Sequence, residues 1–283
     1  MRFEFGSTIT KILKRSSLDE TLNKINKNLF EYSKYRQIKE NQRYQDPKCL
    51  IRYENQIYSQ NGEDGIIGEI FNRIGITNKF FVEIGVGNGL ENNTAYLLLK
   101  KWTGCWIEAD PKLLTQIHEK FGFLENNRKL SVVQSFVTSA NVENIFHELN
   151  VPKELDLLSI DIDCNDYWVW NSLQNYTPRV IVIEYNSVFP PDLEFIIKYS
   201  PTNTWNGTSY FGASLKSLEL LGRKKGYSLV GCDYNGVNAF FVRNDLIDNK
   251  FSDPFTAELH YESPKYNLTS LKCGHKRDFG EFC

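Results

Sequence analysis

Four places in this chain set oxygen-bearing side chains beside backbone that can approach a ligand closely. The first is Glu83-Ile84-Gly85-Val86-Gly87-Asn88-Gly89, an acid followed by glycines at every second position. Glycine removes the Cβ that would hold a ligand off and opens backbone angles closed to other residues, so this turn can lie flat against a nucleotide. The second is Glu108, 25 residues beyond Glu83. That is about the distance at which αβ nucleotide-binding folds place a carboxylate to accept from both ribose hydroxyls. The third and fourth are Asp161 with Asp163, and Glu184 with Asn186. Residues two apart share a face in extended backbone, and oxygens converging from two segments suit a hard cation such as magnesium. A reading without an ion is equally open: Asp161 closes a cofactor pocket, Asp163 to Asp166 cap the next helix, and Glu184 meets substrate.

Each of these places ends an apolar run. Phe80-Phe81-Val82, Thr103 to Ile107, Leu155 to Ile160 and Pro178 to Ile183 read as strands, and Leu130 to Val137 as another. Between them lie stretches with apolar residues at helical spacing, such as Leu113, Leu114 and Ile117. Strand and helix in alternation predict a mostly parallel sheet with helices on both faces. In such sheets ligands bind beyond the carboxyl ends of the strands, which would bring Glu83, Glu108, Asp161 and Glu184 to one edge. Asn235-Gly236 between two late strands predicts a hairpin. The stretch 187–212 carries Pro190, Pro191, Pro201, Gly207 and Gly212, a turn-forming composition. A loop that long inside a domain is usually functional and is read here as the substrate loop, with Trp205, Tyr210 and Phe211 available to stack on a ring.

At 283 residues, 41% apolar and 24% charged, the chain has ordinary globular composition. A net charge of −2 with no basic stripe gives no attraction to nucleic acid. No run approaches the ~20 apolar residues of a membrane span, and no signal-type block opens the chain; a cytoplasmic location is the simplest expectation. Six cysteines without a C-x-x-C pair read as small buried residues. Leu18, Leu22, Ile25 and Leu29 fall on one side of a helix, with Ser17 as its cap. That helix either packs on the domain, makes a homo-oligomer contact or acts as a lid, and the small cluster of Lys11, Lys14 and Arg15 belongs to its solvated face.

The order acid-x-Gly-x-Gly-x-Gly resembles the first motif of class I S-adenosylmethionine-dependent methyltransferases. A dinucleotide fingerprint would require glycine where Leu90 stands. The resemblance spans about residues 58–245 and implies a Rossmann-like α/β fold, a seven-stranded sheet closed by a C-terminal antiparallel hairpin. It implies that Gly85 and Gly87 back onto the methionine half of the cofactor, with Glu83 near its ammonium and Gln60, Asp64 and Asn92 at the same end. It further implies that Glu108 and Ala109 meet the ribose, Ser135 and Phe136 the adenine, and Asp161 the rim of the pocket. The acids after the fourth and fifth strands resemble metal-dependent O-methyltransferases of the catechol and macrocin types. Carried over, the ligands are Asp161, Glu184 and Asn186, although Tyr185 separates two residues that are adjacent in that pattern. Asp163, beside Asp161, is the expected general base, with His260 and His275 as rivals.

The runs Ser-Gln-Asn-Gly-Glu-Asp-Gly, Glu-Asn-Asn-Thr, Ser-Ile-Asp-Ile-Asp and Ile-Glu-Tyr-Asn also resemble bacterial methyltransferases associated with capsule, lipopolysaccharide and other surface glycans. The implied activity is methyl transfer from S-adenosylmethionine to a hydroxyl of a sugar nucleotide or glycan, with Mg2+ as a candidate second cofactor. The rivals are an NAD-linked oxidoreductase and a non-catalytic scaffold of the same fold. The implied organisation is a helical extension over 1–55, a cofactor-binding domain over 56–246, and a tail over 247–283.

Overall fold

The computed structural model describes the backbone of residues 4–265 and the side chains of residues 21–26 and 28–265. Lys11, Lys14, Arg15, Ser17, Leu18, Cys273, His275 and Cys283 lie outside the described side chains. Five strands run parallel: β1 (Phe80–Ile84), β2 (Thr103–Glu108), β3 (Leu130–Gln134), β4 (Leu157–Ile160) and β5 (Val180–Glu184). The hairpin β6 (Tyr227–Cys232) and β7 (Asn238–Arg243) adds two antiparallel strands, and the sheet order is β3-β2-β1-β4-β5-β7-β6. This is a Rossmann-like α/β fold. The order reverses between β1 and β4, which opens a crevice beyond their carboxyl ends.

Helices α1 (Glu4–Glu40) and α2 (Glu63–Ile74) precede β1; α3 (Ala95–Leu99), α4 (Pro111–Asn126), α5 (Val142–Glu148), α6 (Asp166–Ser172) and α7 (Leu215–Lys225) lie between successive strands, and α8 (Ala257–His260) follows β7. Their ends follow from local chemistry. Asp110 accepts from the Lys112 amide with Pro111 in the first turn of α4. Ser214 caps α7, which stops at Gly226 in the left-handed conformation.

Alternate strand residues feed two apolar layers. Val82, Ile84, Leu158, Ile160, Ile181 and Ile183 pack on one face of the sheet, and Phe81, Leu157, Val180 and Val182 on the other. Strands buried on both faces are apolar almost throughout, so Glu83 and Ser159, buried within them, must find polar partners locally.

Helix α1 docks through Phe30, which packs with Tyr44, Ile51 and Tyr234. Leu22, Ile25 and Leu29 are instead exposed, so the face they share is not the one that packs on the domain. Cys105, Cys164 and Cys232 are buried free thiols, and Cys49 is half-buried. Among the described residues no helix is long and apolar enough to cross a membrane.

Candidate active site

A cavity of about 500 Å³ opens at the crevice between β1 and β4. The glycine turn forms its floor. At Gly85 φ is +81°, and a Cβ there would sit 1.6 Å from the Asp161 carbonyl oxygen, so only glycine lets the turn after β1 cross the end of β4. Gly87 has φ of +64° with open space where its Cβ would be, and its amide donates to Glu108 Oε2 at 2.8 Å. Amides of Ala109 and Asp110 donate to Glu108 Oε1 at 2.9 Å. Three backbone donors thus hold the Glu108 carboxylate at the wall: Oε1 accepts from two amides and Oε2 from one, so Oε2 keeps a lone pair for a further donor.

Gln60, Ala109, Ser135 and Phe136 line the same cavity, as do Asp161, Asp163 and Glu184. The structure therefore brings together ten of the residues singled out in the sequence: these seven with Gly85, Gly87 and Glu108. Four others are engaged elsewhere. Glu83 is buried and accepts from Asn92 Nδ2, the Asn93 amide and both the amide and hydroxyl of Thr94. It anchors the loop into α3 rather than presenting a free carboxylate, and burial pushes it up to about 7 against those donors. Asp64 accepts from the amides of Ile57, Tyr58 and Ser59 and from the Ser59 hydroxyl, fixing the strap that carries Gln60. It lines none of the main cavity. Asn92 faces a smaller adjoining cavity with Glu83.

Asn186 departs most from the sequence reading. Its Nδ2 donates to the carbonyls of Ser209 and Phe211, both at 2.9 Å, and its Oδ1 accepts from the Val188 amide at 3.2 Å. Its NH2 is committed to two loop carbonyls, so Asn186 fastens the 187–212 loop. Asn165 and Trp168 fasten the loop from the other side, donating to the carbonyls of Ser200 and Ile197 at 2.8 Å. Held this way, the loop brings Asn203, Thr204, Trp205 and Phe211 to the cavity wall, while Tyr210 packs edge-on against Phe195.

The oxygen cluster that does form is Asp161, Asp163 and Glu184, with ligand atoms within 4.8 Å of one another. Asp163 takes a left-handed φ of +65°, which asparagine and aspartate tolerate best after glycine. Burial, then Asp166, Asp163, Glu83 and Glu63, push Asp161 well above the usual carboxylate range. Burial, then Asp161, Asp166 and Asp163, do the same to Glu184. Glu184 Oε2 is buried with no hydrogen-bond partner. Three converging carboxylates, one with an unsatisfied buried oxygen, fit a hard divalent cation.

Asp166, behind them at the start of α6, accepts from the Ile162 amide at 2.8 Å and is pushed up to about 7 by burial. His260 lies apart in α8, nine-tenths buried beside Cys49 and Glu262, and burial lowers it to about 4. It does not reach the cavity as a base. Sequence reasoning missed Asn203 and Thr204, whose only signal was the turn composition around them, and Val237, which the hairpin folds in from 53 residues beyond Glu184.

No family model matches this chain, and no curated protein matches it. Solved structures do. An S-adenosylmethionine-dependent methyltransferase from Clostridium acetobutylicum ATCC 824 is similar over 76% of this chain and 98% of its own, at 11% identity and a TM-score of 0.42. The methyltransferase domain of bacterial CtHen1-C is similar over 65% and 97%, at 12% identity and a TM-score of 0.42. The glycopeptide N-methyltransferase MtfA complexed with S-adenosyl-L-homocysteine is similar over 68% and 90%, at 10% identity and a TM-score of 0.39.

Proposed function

We propose that this chain is an S-adenosylmethionine-dependent O-methyltransferase acting on a sugar hydroxyl. One observation carries the cofactor: among the described residues, those lining the switch-point cavity include Glu108, Asp161, Asp163 and Glu184 but no Lys, Arg or His. A pyrophosphate would meet four acids there and no cation, which disfavours NAD. A sulfonium nucleoside meets complementary charge. Glu108 Oε2 accepts from a ribose hydroxyl, Phe136 offers an apolar face to the base, and the glycine turn leaves room for the methionine half. When bound, the cofactor supplies a methyl group on positively charged sulfur.

The acceptor is placed by the loop. Trp205 and Phe211 give a ring face to the apolar side of a sugar, and Asn203 and Thr204 give it polar partners. The acceptor hydroxyl belongs to a glycan or a sugar nucleotide. The sugar itself rests on the likeness of the sequence runs to surface-glycan enzymes. Asp163, the most exposed of the three carboxylates, takes the proton from the acceptor hydroxyl as transfer occurs. Asp161 and Glu184, with Asp163, would hold a magnesium ion, whose charge would lower the pKa of that hydroxyl. Transfer of labelled methyl from S-adenosylmethionine to a panel of neutral glycans, with and without EDTA, tests this. Methylation that EDTA abolishes and Mg2+ restores is expected; full activity in chelator removes the metal, and no transfer to any glycan removes the acceptor. The same reading sets the enzyme in the cytoplasm, with the exposed Leu22, Ile25 and Leu29 stripe of α1 as the contact of any homo-oligomer.

A further inference from the structure

A cavity of about 620 Å³ lies between α1 and the strap over 55–62, and Gln60 lines both it and the main cavity. The chain's own bonds fix its walls. Lys34 of α1 pairs with Glu54 Oε2 at 2.5 Å and donates to the Asn61 carbonyl at 3.3 Å, which ties the helix to the strap. Gln45 Nε2 donates to the carbonyls of Ile38 and Lys39 at 3.1 and 2.8 Å, closing the carboxyl end of α1. Arg52 Nη1 donates to the carbonyls of Tyr44 and Gln45 at 3.0 and 3.1 Å. The cluster of Phe30, Tyr44, Ile51 and Tyr234 joins the same elements, so the groove is part of the packed domain.

What these walls present differs from the main cavity, whose charged lining among the described residues is acidic throughout. Here Lys39 and Arg52, both exposed, stand with Glu31, while Glu54 is paired with Lys34. The exposed side-chain amides of Asn55 and Gln60 make no hydrogen bond to other described residues. Gln56 spends its Nε2 on the carbonyls of Ser59 and Gln60 and keeps its Oε1 as an acceptor. Tyr35, 60% exposed with the Lys39 ammonium 5.6 Å from its ring, adds aromatic carbon and a hydroxyl. A phosphate takes donors only, and it would meet the open amide oxygens and Glu31 unfavourably. A sugar residue uses every kind of group in this wall. Each of its hydroxyls both donates and accepts, as each free amide does, and its C–H side packs on an aromatic ring.

We propose that this groove is a second sugar subsite: it holds the residue next to the one being methylated, so the acceptor is an oligosaccharide or polymer and not a single nucleotide-linked sugar. The proposal rests on the sugar acceptor assigned above and chooses between its two forms. It gives α1, which supplies nothing to the main cavity, a part in acceptor choice, with Gln60 as the residue common to the two subsites.

Binding of the full-length protein, saturated with S-adenosylhomocysteine, to an array of bacterial surface oligosaccharides printed beside their constituent monosaccharides tests it. UDP-glucose and UDP-N-acetylglucosamine are titrated in solution alongside. The wild-type protein is expected to bind at least one oligosaccharide at least tenfold more tightly than any of its monosaccharides or either sugar nucleotide. Combining Tyr35→Ala with Asn55→Ala, both at exposed positions, should shrink that preference to threefold or less, with S-adenosylhomocysteine affinity unchanged within twofold. Equal wild-type affinity for oligosaccharide and monosaccharide overturns the subsite, as does tighter binding of a sugar nucleotide. A preference that survives in the folded double variant also overturns it. If the protein binds S-adenosylhomocysteine but no sugar probe at all, the sugar reading itself has failed and the subsite falls with it, an outcome distinct from binding without preference.

Discussion

The two ends of the central sheet both bury acids, and they treat them in opposite ways. At the amino end of β4, Asp156 is fully buried yet saturated. It accepts from Arg179 Nη1 at 2.6 Å, from the Thr77 amide and hydroxyl, and from the amides of Asn78 and Lys79. Burial alone would raise it, but Arg179 and those donors outweigh burial and hold it below the usual range. At the carboxyl end, Asp161 and Glu184 face one another with Asp163 and Asp166; among the described residues no cationic side chain lies in the cavity wall, and Glu184 Oε2 has no partner. Both are pushed well up. One end is completed by the protein itself. The other gathers acids whose charges oppose one another, and such a cluster in a cleft is a candidate functional site.

Substitutions at the two ends sharpen the contrast. Arg179→Met should be the most damaging to the fold, because it strands a buried carboxylate; a loss of about 3–5 kcal/mol is expected in urea unfolding. A loss under 1 kcal/mol would mean that the amino end is not the closed structural site described. Glu108→Ala should leave the fold standing and weaken S-adenosylhomocysteine binding by at least tenfold, as hydrogen bonds to a charged acceptor are worth about 1.5–3 kcal/mol each. Unchanged affinity would move the ribose contact elsewhere.

The pH dependence should also divide the two ends. A carboxyl raised by folding, such as Asp166 at about 7, contributes stability that is full below its unfolded pKa and lost as pH rises through about 7. Asp156, depressed by folding, contributes stability present above its unfolded pKa and lost as pH falls through its lower folded value. Melting without metal should therefore weaken between about pH 4 and about pH 7 through the carboxyl end. Mg2+ should raise the melting temperature more at pH 8 than at pH 5.5, because it favours the ionised rim. The smallest of these effects is a shift of a few degrees, and an equal Mg2+ effect at both pH values would count against a cation among the three carboxylates.

Much of this was legible in the sequence, for reasons that differ between residues. The alternation of apolar runs with helical spacing gave the parallel sheet, because strands buried on both faces admit few polar residues. The position of Glu108 at the cavity wall was legible because it depends on a local strand end and a nearly fixed distance from the glycine turn. Glu83, Asp64 and Asn186 were legible as polar residues near a site but not in their partners. Each is consumed by backbone that loops back to it, 9 to 11 residues on for Glu83 and 23 to 25 for the Asn186 amide. Sequence spacing does not reveal such closures.

The central claim is that the crevice at the carboxyl ends of β1 and β4 takes an S-adenosyl nucleoside. Isothermal titration of the intact protein with S-adenosylhomocysteine and, separately, NAD tests it most directly. One saturable site for S-adenosylhomocysteine, abolished or sharply weakened in Glu108→Ala, with no heat from NAD, is the expected result. Saturable NAD binding with none for S-adenosylhomocysteine would contradict the account.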